Sequence, residues 1–374
     1  MIDALANSDS PVVPRPVIAL AIDSQGGGAS GLAAAAGTVA GALGSGEGQL
    51  GWTDCVMAVT LRLGFAPAVD SAELLIAQTP HTPEANLGDQ VTLGLGPQGD
   101  TTTLFKGWIE AVEHRLDGCR CYRLVNNASR LANLRINQAV TETSVADLIA
   151  LMAREAGVPL DKRVSGSDDK LRQTIIDDSL SLWQHMQRLA ALRGYSLWIN
   201  GDNRLQLANQ LEQQSPEQRF QAGENVMALS LWQRRSHSGS IRVHGGSRDD
   251  SGHTLRKQPQ PNLATMGDGS PQRTYRPRNL SAPGDLAAAA VAAGQAGHRA
   301  SHRGTLRVPG SGALTPGAVV AIIGLPGGGA SALIQSVEQR FNFSEGWVAD
   351  LTLSRSDDQT SPGALLSSVT GGFL

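Results

Sequence analysis

The chain opens with short apolar runs punctuated by turn residues. Segments 16–22, 56–63, 90–95, 103–109 and 119–125 are rich in Val, Ile, Leu and Thr, and Gly, Pro, Asn and Asp separate them. That pattern predicts β-strands of a barrel or sandwich. A Gly/Ala-rich stretch, 24–48, follows the first strand and predicts a surface loop. It holds too few large apolar residues to predict a membrane span.

The period then changes from two to 3.6. Val145, Leu148, Ile149, Met152 and Ala156 form one helical stripe, with Ser144 placed to cap it and Gly157 just beyond its end. A second stripe runs through Leu182, Trp183, Met186, Leu189 and Ala190, starting at Ser179 or Ser181 and stopping at Gly194. Segments 195–199 and 204–207 flank Asn200-Gly201-Asp202-Asn203, a turn sequence suited to positive φ, and predict a hairpin. This central block predicts a small α+β module. Strand-like segments return at 226–232, 240–243, 304–308, 318–323, 332–343 and 347–355. A Pro/Gly/Arg-rich connection, 245–278, and an Ala-rich helix from Asp285 to about Arg303 interrupt them.

Two stretches share an order of elements. Gly88-Asp89-Gln90-Val91 leads to Ile109-Glu110 and then Asp117-Gly118; Gly317-Ala318-Val319-Val320 leads to Val337-Glu338 and then Glu345-Gly346. Each reads as turn glycine, strand, loop, long strand, hairpin, strand. A duplication of this kind gives one chain two similar β-domains with the α+β module inserted between them. Three such chains in a ring would offer six nearly equivalent β-domains.

Composition narrows the function classes. With 374 residues, 41% hydrophobic and 43 glycines, the chain predicts two or three Gly-punctuated domains rather than a helical bundle. Three cysteines exclude a disulfide framework, and the spacing of Cys119 and Cys121 predicts two small side chains on one strand face. The opening Met1-Ile2-Asp3-Ala4 lacks the basic start and apolar core of a signal peptide. The net charge of −3 argues against nucleic-acid binding by the whole surface. It also conceals an asymmetry: Arg15 and Arg62 are the only basic side chains in the first hundred residues before Lys106, whereas Arg234, Arg235, Arg242, Arg248, Arg256, Lys257, Arg273, Arg276 and Arg278 cluster later. These nine are the candidate interface or lumen residues. One reading gives them an acidic partner or passing DNA; the other gives them a solvated face or ion pairs between subunits.

Several motifs resemble those of contractile injection machines. Phe105-Lys106-Gly107-Trp108-Ile109 resembles the Phe-x-Gly-x-Ile strand of the phage late-control D proteins, which are baseplate hubs and are similar to the amino-terminal part of type VI secretion spike proteins. Ala128-Ser129-Arg130-Leu131 with Val145-Ala146-Asp147-Leu148-Ile149 is similar to that family's first helix entry. Ser181-Leu182-Trp183-Gln184 through Ala190, then Gly194-Tyr195, resemble its second helix and the strand after it. Thr315-Pro316-Gly317 and Ile334 through Phe341 resemble its last β-domain.

The resemblance implies an α+β, mainly β fold: two similar tube-type β-barrel domains with an inserted small α+β module. Its parts would be a first tube-like domain (1–127), the module (128–212), strands with the basic connection and Ala-rich helix (213–303), completion of the second tube-like domain (304–356) and a tail (357–374). It also implies a non-enzymatic homotrimer, without cofactor or metal, in the tail baseplate of a virion or related particle assembled in the host cytoplasm. The implied partners are a hexameric tail tube protein, a separate central spike protein, and baseplate wedge and tape-measure proteins, with DNA only as channel cargo.

Two other classes compete. A tail-associated cell-wall hydrolase would use carboxylates such as Asp178 or Glu338; Asp177-Asp178 and Asp249-Asp250 are adjacent in sequence and so do not face each other. A nucleic-acid binder would use the Arg-rich segment 234–307 but lacks the interleaved aromatics of a single-strand groove. Gly324 to Ser331 is Gly-rich yet lacks the Lys-Ser/Thr of a phosphate loop, and predicts a hairpin tip. His298 and His302 stand at i,i+4 spacing with no accompanying carboxylate, so no metal site is expected.

Overall fold

The computed structural model describes residues 16–23, 51–97, 100–164, 171–209, 211, 214–233, 240–244, 263–266, 272–275, 283–325 and 329–355. The loop 24–48, the tail 357–374 and the Asp249-Asp250 pair lie outside them.

The first unit comprises β1 (Pro16–Asp23), a single helical turn α1 (Trp52–Cys55), β2 (Val56–Gly64), β3 (Ser71–Ala77), β4 (Gln90–Pro97), β5 (Thr102–His114) and β6 (Cys119–Val125). Its strands pair in the order β1-β4-β5-β6-β3-β2. Alternation sends Val59, Leu61, Leu74, Ile76, Leu93, Ile109, Tyr122 and Leu124 into one core. Trp52 packs edge-on against Tyr122. At Gly107 the neighbouring strand comes so close that a Cβ would sit 2.1 Å from the Val125 carbonyl oxygen, so only glycine fits.

The chain then builds the module: α2 (Asn127–Asn133), β7 (Gln138–Thr143), α3 (Val145–Glu155), β8 (Leu160–Arg163), β9 (Leu171–Ile176), α4 (Leu182–Arg193), β10 (Ser196–Ile199) and β11 (Leu205–Ala208). The caps explain the helix boundaries. Ser144 accepts from the Asp147 amide, and Ser181 forms a reciprocal capping box with Gln184. Gly194 ends α4 in the left-handed region at φ 69°. Ser181, rather than Ser179, is therefore the cap of α4.

The later segments are β12 (Gln218–Gln221), β13 (Ala228–Gln233), β14 (Ser240–His244), β15 (Leu263–Met266), β16 (Gln272–Tyr275), α5 (Pro283–Ser301), β17 (His302–Pro309), β18 (Val319–Ile323), β19 (Ala330–Asn342) and β20 (Gly346–Arg355). Ile241 and Val243 of β14 and Leu286, Ala289 and Ala290 of α5 join the module core with Leu148, Met152 and Trp183. Strands β12, β13 and β17–β20 instead form a second β unit, in the order β12-β18-β19-β20-β17-β13. Its own core includes Leu306, Val308, Val320, Ile334, Val337 and Leu351.

The two units match strand for strand, except that β1 runs antiparallel to β4 whereas β12 runs parallel to β18. Hydrogen bonds fix the equivalence. The Gly88 amide donates to the Ile109 carbonyl and the Ile109 amide to the Asp89 carbonyl; likewise Gly317 donates to Ile334, and Ile334 to Ala318. Gly88 and Gly317 both have positive φ, at 88° and 93°. A bulge follows each isoleucine, between Ile109 and Ala111 and between Ile334 and Ser336. Ile334, not Val337, is thus the counterpart of Ile109. The sequence comparison aligned the hairpin turns, but the β19–β20 hairpin runs two residue pairs further than β5–β6, closing at Asn342–Gly346 against Arg115–Cys119.

Both units belong to one twelve-stranded sheet, joined where β2 pairs antiparallel with the carboxyl half of β19, from Gly64↔Ser336 to Ala58↔Asn342. The path of this sheet ends at β1 and β13, and no strand pair among the described residues closes either unit into a barrel.

A buried knot ties the module to the first unit. Asp70 accepts from the Gly64 amide at 2.8 Å and from Asn126 Nδ2 at 2.9 Å, while the Asn126 side-chain oxygen caps α2. Trp183 Nε1 donates to the Ala68 carbonyl. Burial outweighs the two donors and pushes the Asp70 carboxyl up from 3.8 to about 7. The folded state therefore holds a proton that the unfolded chain releases near pH 4. Stability is expected to fall as pH rises from about 4 to about 7 and to level off above. Urea midpoints across that range check this, and Asp70→Asn should flatten the slope. Leu61, wholly buried beneath the β2–β19 junction, should on replacement by Ala lower the unfolding free energy by about 2–5 kcal/mol in the same assay.

Candidate interaction surface

One face of the long sheet is apolar and packs into the two cores; the other carries charge and, on β18 and β19, the buried Val319 and Leu333 that pack with Trp198 of the module. Across β3, β2, β19, β20 and β17 the charged side chains meet in a continuous row. Arg62 on β2 contacts Glu73 on β3 at 3.4 Å and Glu338 on β19 at 3.2 Å. Arg340 lies 3.8 Å from Glu338 and 2.6 Å from Asp350, and Asp350 is held at 2.7 Å by Arg307. Three acids thus alternate with three arginines over five neighbouring strands. The register explains the contacts: Arg62 stands directly opposite Glu338, and Asp350 lies between Glu338 on one side and Arg307 on the other. Hydrogen bonds from Arg307 hold the Asp350 carboxyl below its ordinary range. Arg62 is raised: the hydrogen bond and charge of Glu338 and the charge of Glu73 outweigh the largest single effect, desolvation, which lowers it.

The row crosses the junction between the units without interruption. It presents balanced charge rather than a field of one sign. None of these six residues belongs to the nine cationic candidates from the sequence. Of those nine, only Arg242 on β14 and Arg273 on β16 lie within the described residues; Arg234, Arg235, Arg248, Arg256, Lys257, Arg276 and Arg278 lie outside them. Arg242 and Arg273 sit on adjacent strands of the small sheet β15-β14-β16, with Arg273 stacked over Tyr275 at 5.0 Å.

The carboxylates considered for hydrolysis are apart. Glu338 is engaged by Arg62, while Asp178 lies in the turn before α4, where its backbone carbonyl accepts from Arg135. Asp177 accepts from the hydroxyl and amide of Ser179 and is lowered by those bonds. A cavity of about 480 Å³ opens between α4, α5, β19 and β20; its walls include Ala190, Tyr195, Ala292, Arg299 and Gln335 and carry no carboxylate, histidine or cysteine. In the Gly-rich stretch 324–331, Ala330 and Ser331 already belong to β19 and pair antiparallel with Ile322 and Ala321 of β18, while 326–328 lie outside the described residues. Cys55, Cys119 and Cys121 are buried free thiols. Among the described residues no three potential ligands group around a metal position, and no helix is long and apolar enough to cross a membrane.

No protein-family model and no curated protein sequence matches the chain. Solved structures do resemble it. A tail protein from Neisseria meningitidis MC58 superposes with a TM-score of 0.62 at 15% identity, over 80% of this chain and 92% of that one. The 43 kDa tail protein of prophage MuSo2 from Shewanella oneidensis gives 0.61 at 14% identity, over 82% and 95%. A component of the Escherichia coli type VI secretion system, described as structurally similar to the bacteriophage T4 tail proteins gp27 and gp5, gives 0.53 at 13% identity, over 81% and 74%. The chain has the fold of these tail and secretion-system proteins.

Proposed function

We propose that the protein is a structural baseplate hub of a contractile tail or related injection machine. In this reading three copies form a ring whose six β units mimic sixfold symmetry on one side, facing a hexameric tail tube. A separate central spike protein with threefold symmetry docks on the other. The observation that carries the reading is the repeated six-strand order within one continuous sheet, on a fold like that of tail proteins. A chain that supplies two equivalent β units converts three copies into six positions.

The row from Glu73 to Arg307 is the natural lining of the central channel. It lies on the sheet face away from the cores, crosses the unit junction, and neutralises its own charge. Wedge and tape-measure proteins would meet the module and the basic segment 234–278, with DNA only as cargo. Each unit would complete its tube-type barrel on assembly.

Sedimentation velocity of the purified chain tests the assembly. A species of three times the 39.1 kDa chain mass is expected, and a monomer persisting at micromolar concentration counts against the hub. Mixed with tail tube protein from its own particle, the trimer should co-sediment in a ratio of three hub chains to six tube subunits.

A further inference from the structure

The repeat leaves a specific mismatch. In the second unit the carboxyl half of β19 has a strand on each side, β20 and β2. Its counterpart in the first unit, the carboxyl half of β5, pairs only with β6 among the described residues, because β4 reaches no further along β5 than Trp108. Conversely β2 is covered by β3 and β19, whereas among the described residues its counterpart β13 is covered only by β17. Among the described residues the β13 edge and the carboxyl half of β5 are therefore both unpaired, and they are the counterparts of the two strands that the chain already joins internally.

Side chains on these edges behave as if a strand were missing. Val59 and Leu61 on β2 correspond through their partners Leu74 and Ala72 to Leu229 and Leu231 on β13, which face Leu306 and Gly304. Leu61 is 0% exposed, and Leu231 is 45% exposed. Trp232 beside it is 38% exposed. At the other edge His114 is exposed where its counterpart Gln339 is fully buried. Leu116, two residues past the end of β5, is wholly exposed, while Phe341 at the same offset is 7% exposed. Neither edge carries the Pro, Lys or strand-breaking bulge that usually blocks further pairing: β13 reads Ala-Leu-Ser-Leu-Trp-Gln, and β5 beyond its bulge reads Ala-Val-Glu-His.

We propose that β13 of one copy pairs antiparallel with the carboxyl half of β5 of a second copy, in the register of β2 with β19. This places Leu231 opposite His114, Trp232 opposite Glu113 and Gln233 opposite Val112. The inference rests on the assembly reading above and names its interface. The two edges are different surfaces, so the contact is head-to-tail and closes as a ring rather than a twofold dimer. It would extend the twelve-stranded sheet through every copy, with backbone hydrogen bonds supplying the join and Leu231, Trp232 and Leu116 supplying the apolar cover. Glu113 stands where Glu338 does but faces Trp232 instead of an arginine; its charge is met within its own chain by Arg115 at 3.4 Å and Arg123 at 3.9 Å. The intercopy join is thus less dependent on ion pairing than the internal one.

The test uses the full chain carrying His114→Cys and Leu231→Cys, treated with a short bifunctional thiol cross-linker. Directly opposed Cα atoms of antiparallel strands lie about 4.5–5.5 Å apart, within its reach. A denaturing-gel ladder ending at three chains is expected from the double variant, with single chains from either variant alone and from the out-of-register pair His114→Cys with Ala228→Cys. In parallel, Leu231→Lys, at a site already half exposed, should leave the circular dichroism spectrum unchanged and weaken self-association at least tenfold by sedimentation. A trimer that resists bridging at 114 and 231 and tolerates Leu231→Lys overturns the proposed pairing while leaving the trimeric hub standing. A ladder ending at another number supports the pairing and overturns the trimer; a chain that stays monomeric overturns both.

Discussion

Everything in this molecule is organised around the backbone pairing of β2 with the carboxyl half of β19. That ladder joins segments almost 280 residues apart and turns two separate β units into one sheet. It buries Leu61 and Phe341 from opposite strands and brings Arg62 against Glu338. Loop closure over such a distance is entropically costly, and the module between the units reduces that cost by ordering the intervening chain. The module is itself moored to both sides. Asp70, Asn126 and Trp183 bind it to the first unit, and Trp198, Ala208 and Leu211 pack with Val319 and Leu333 of the second.

Much of this was legible in the sequence because local signals and tertiary structure agree. The stripes of α3 and α4, the Ser144 cap and the glycine after α4 read correctly, since capping chemistry is local, while the α4 cap was narrowed only to Ser179 or Ser181. Strands β13, β14 and β17–β20 fell close to their expected places, whereas β12 was not expected and β15 and β16 lie within the stretch read as a connection. Strand β3 was not legible: Ser-Ala-Glu-Leu-Leu-Ile-Ala is composed mainly of helix formers, and only its position between β2 and β6 makes it a strand. The duplication was visible as an order of elements but misregistered by three residues, because the two hairpins differ in length and no local signal marks the bulges at Glu110 and Gln335.

The site was much less legible than the fold. The cationic cluster drew attention because its members are close in sequence. The charged row on the sheet is made of residues scattered from Arg62 to Asp350, and strand order alone brings them together. Nothing in the chain said which strands would be neighbours. Sheet order is a property of the whole fold, and so is any site assembled across it.

The unequal hairpins have a mechanical corollary. Since β19–β20 projects two residue pairs beyond β5–β6, any closed arrangement of these chains has alternating tall and short teeth along one edge, however alike the strands beneath them. A docking body that reads only the sheet encounters a uniform crown; one that reaches the tips can sense which tooth belongs to which half of the chain, and so seats in half as many orientations.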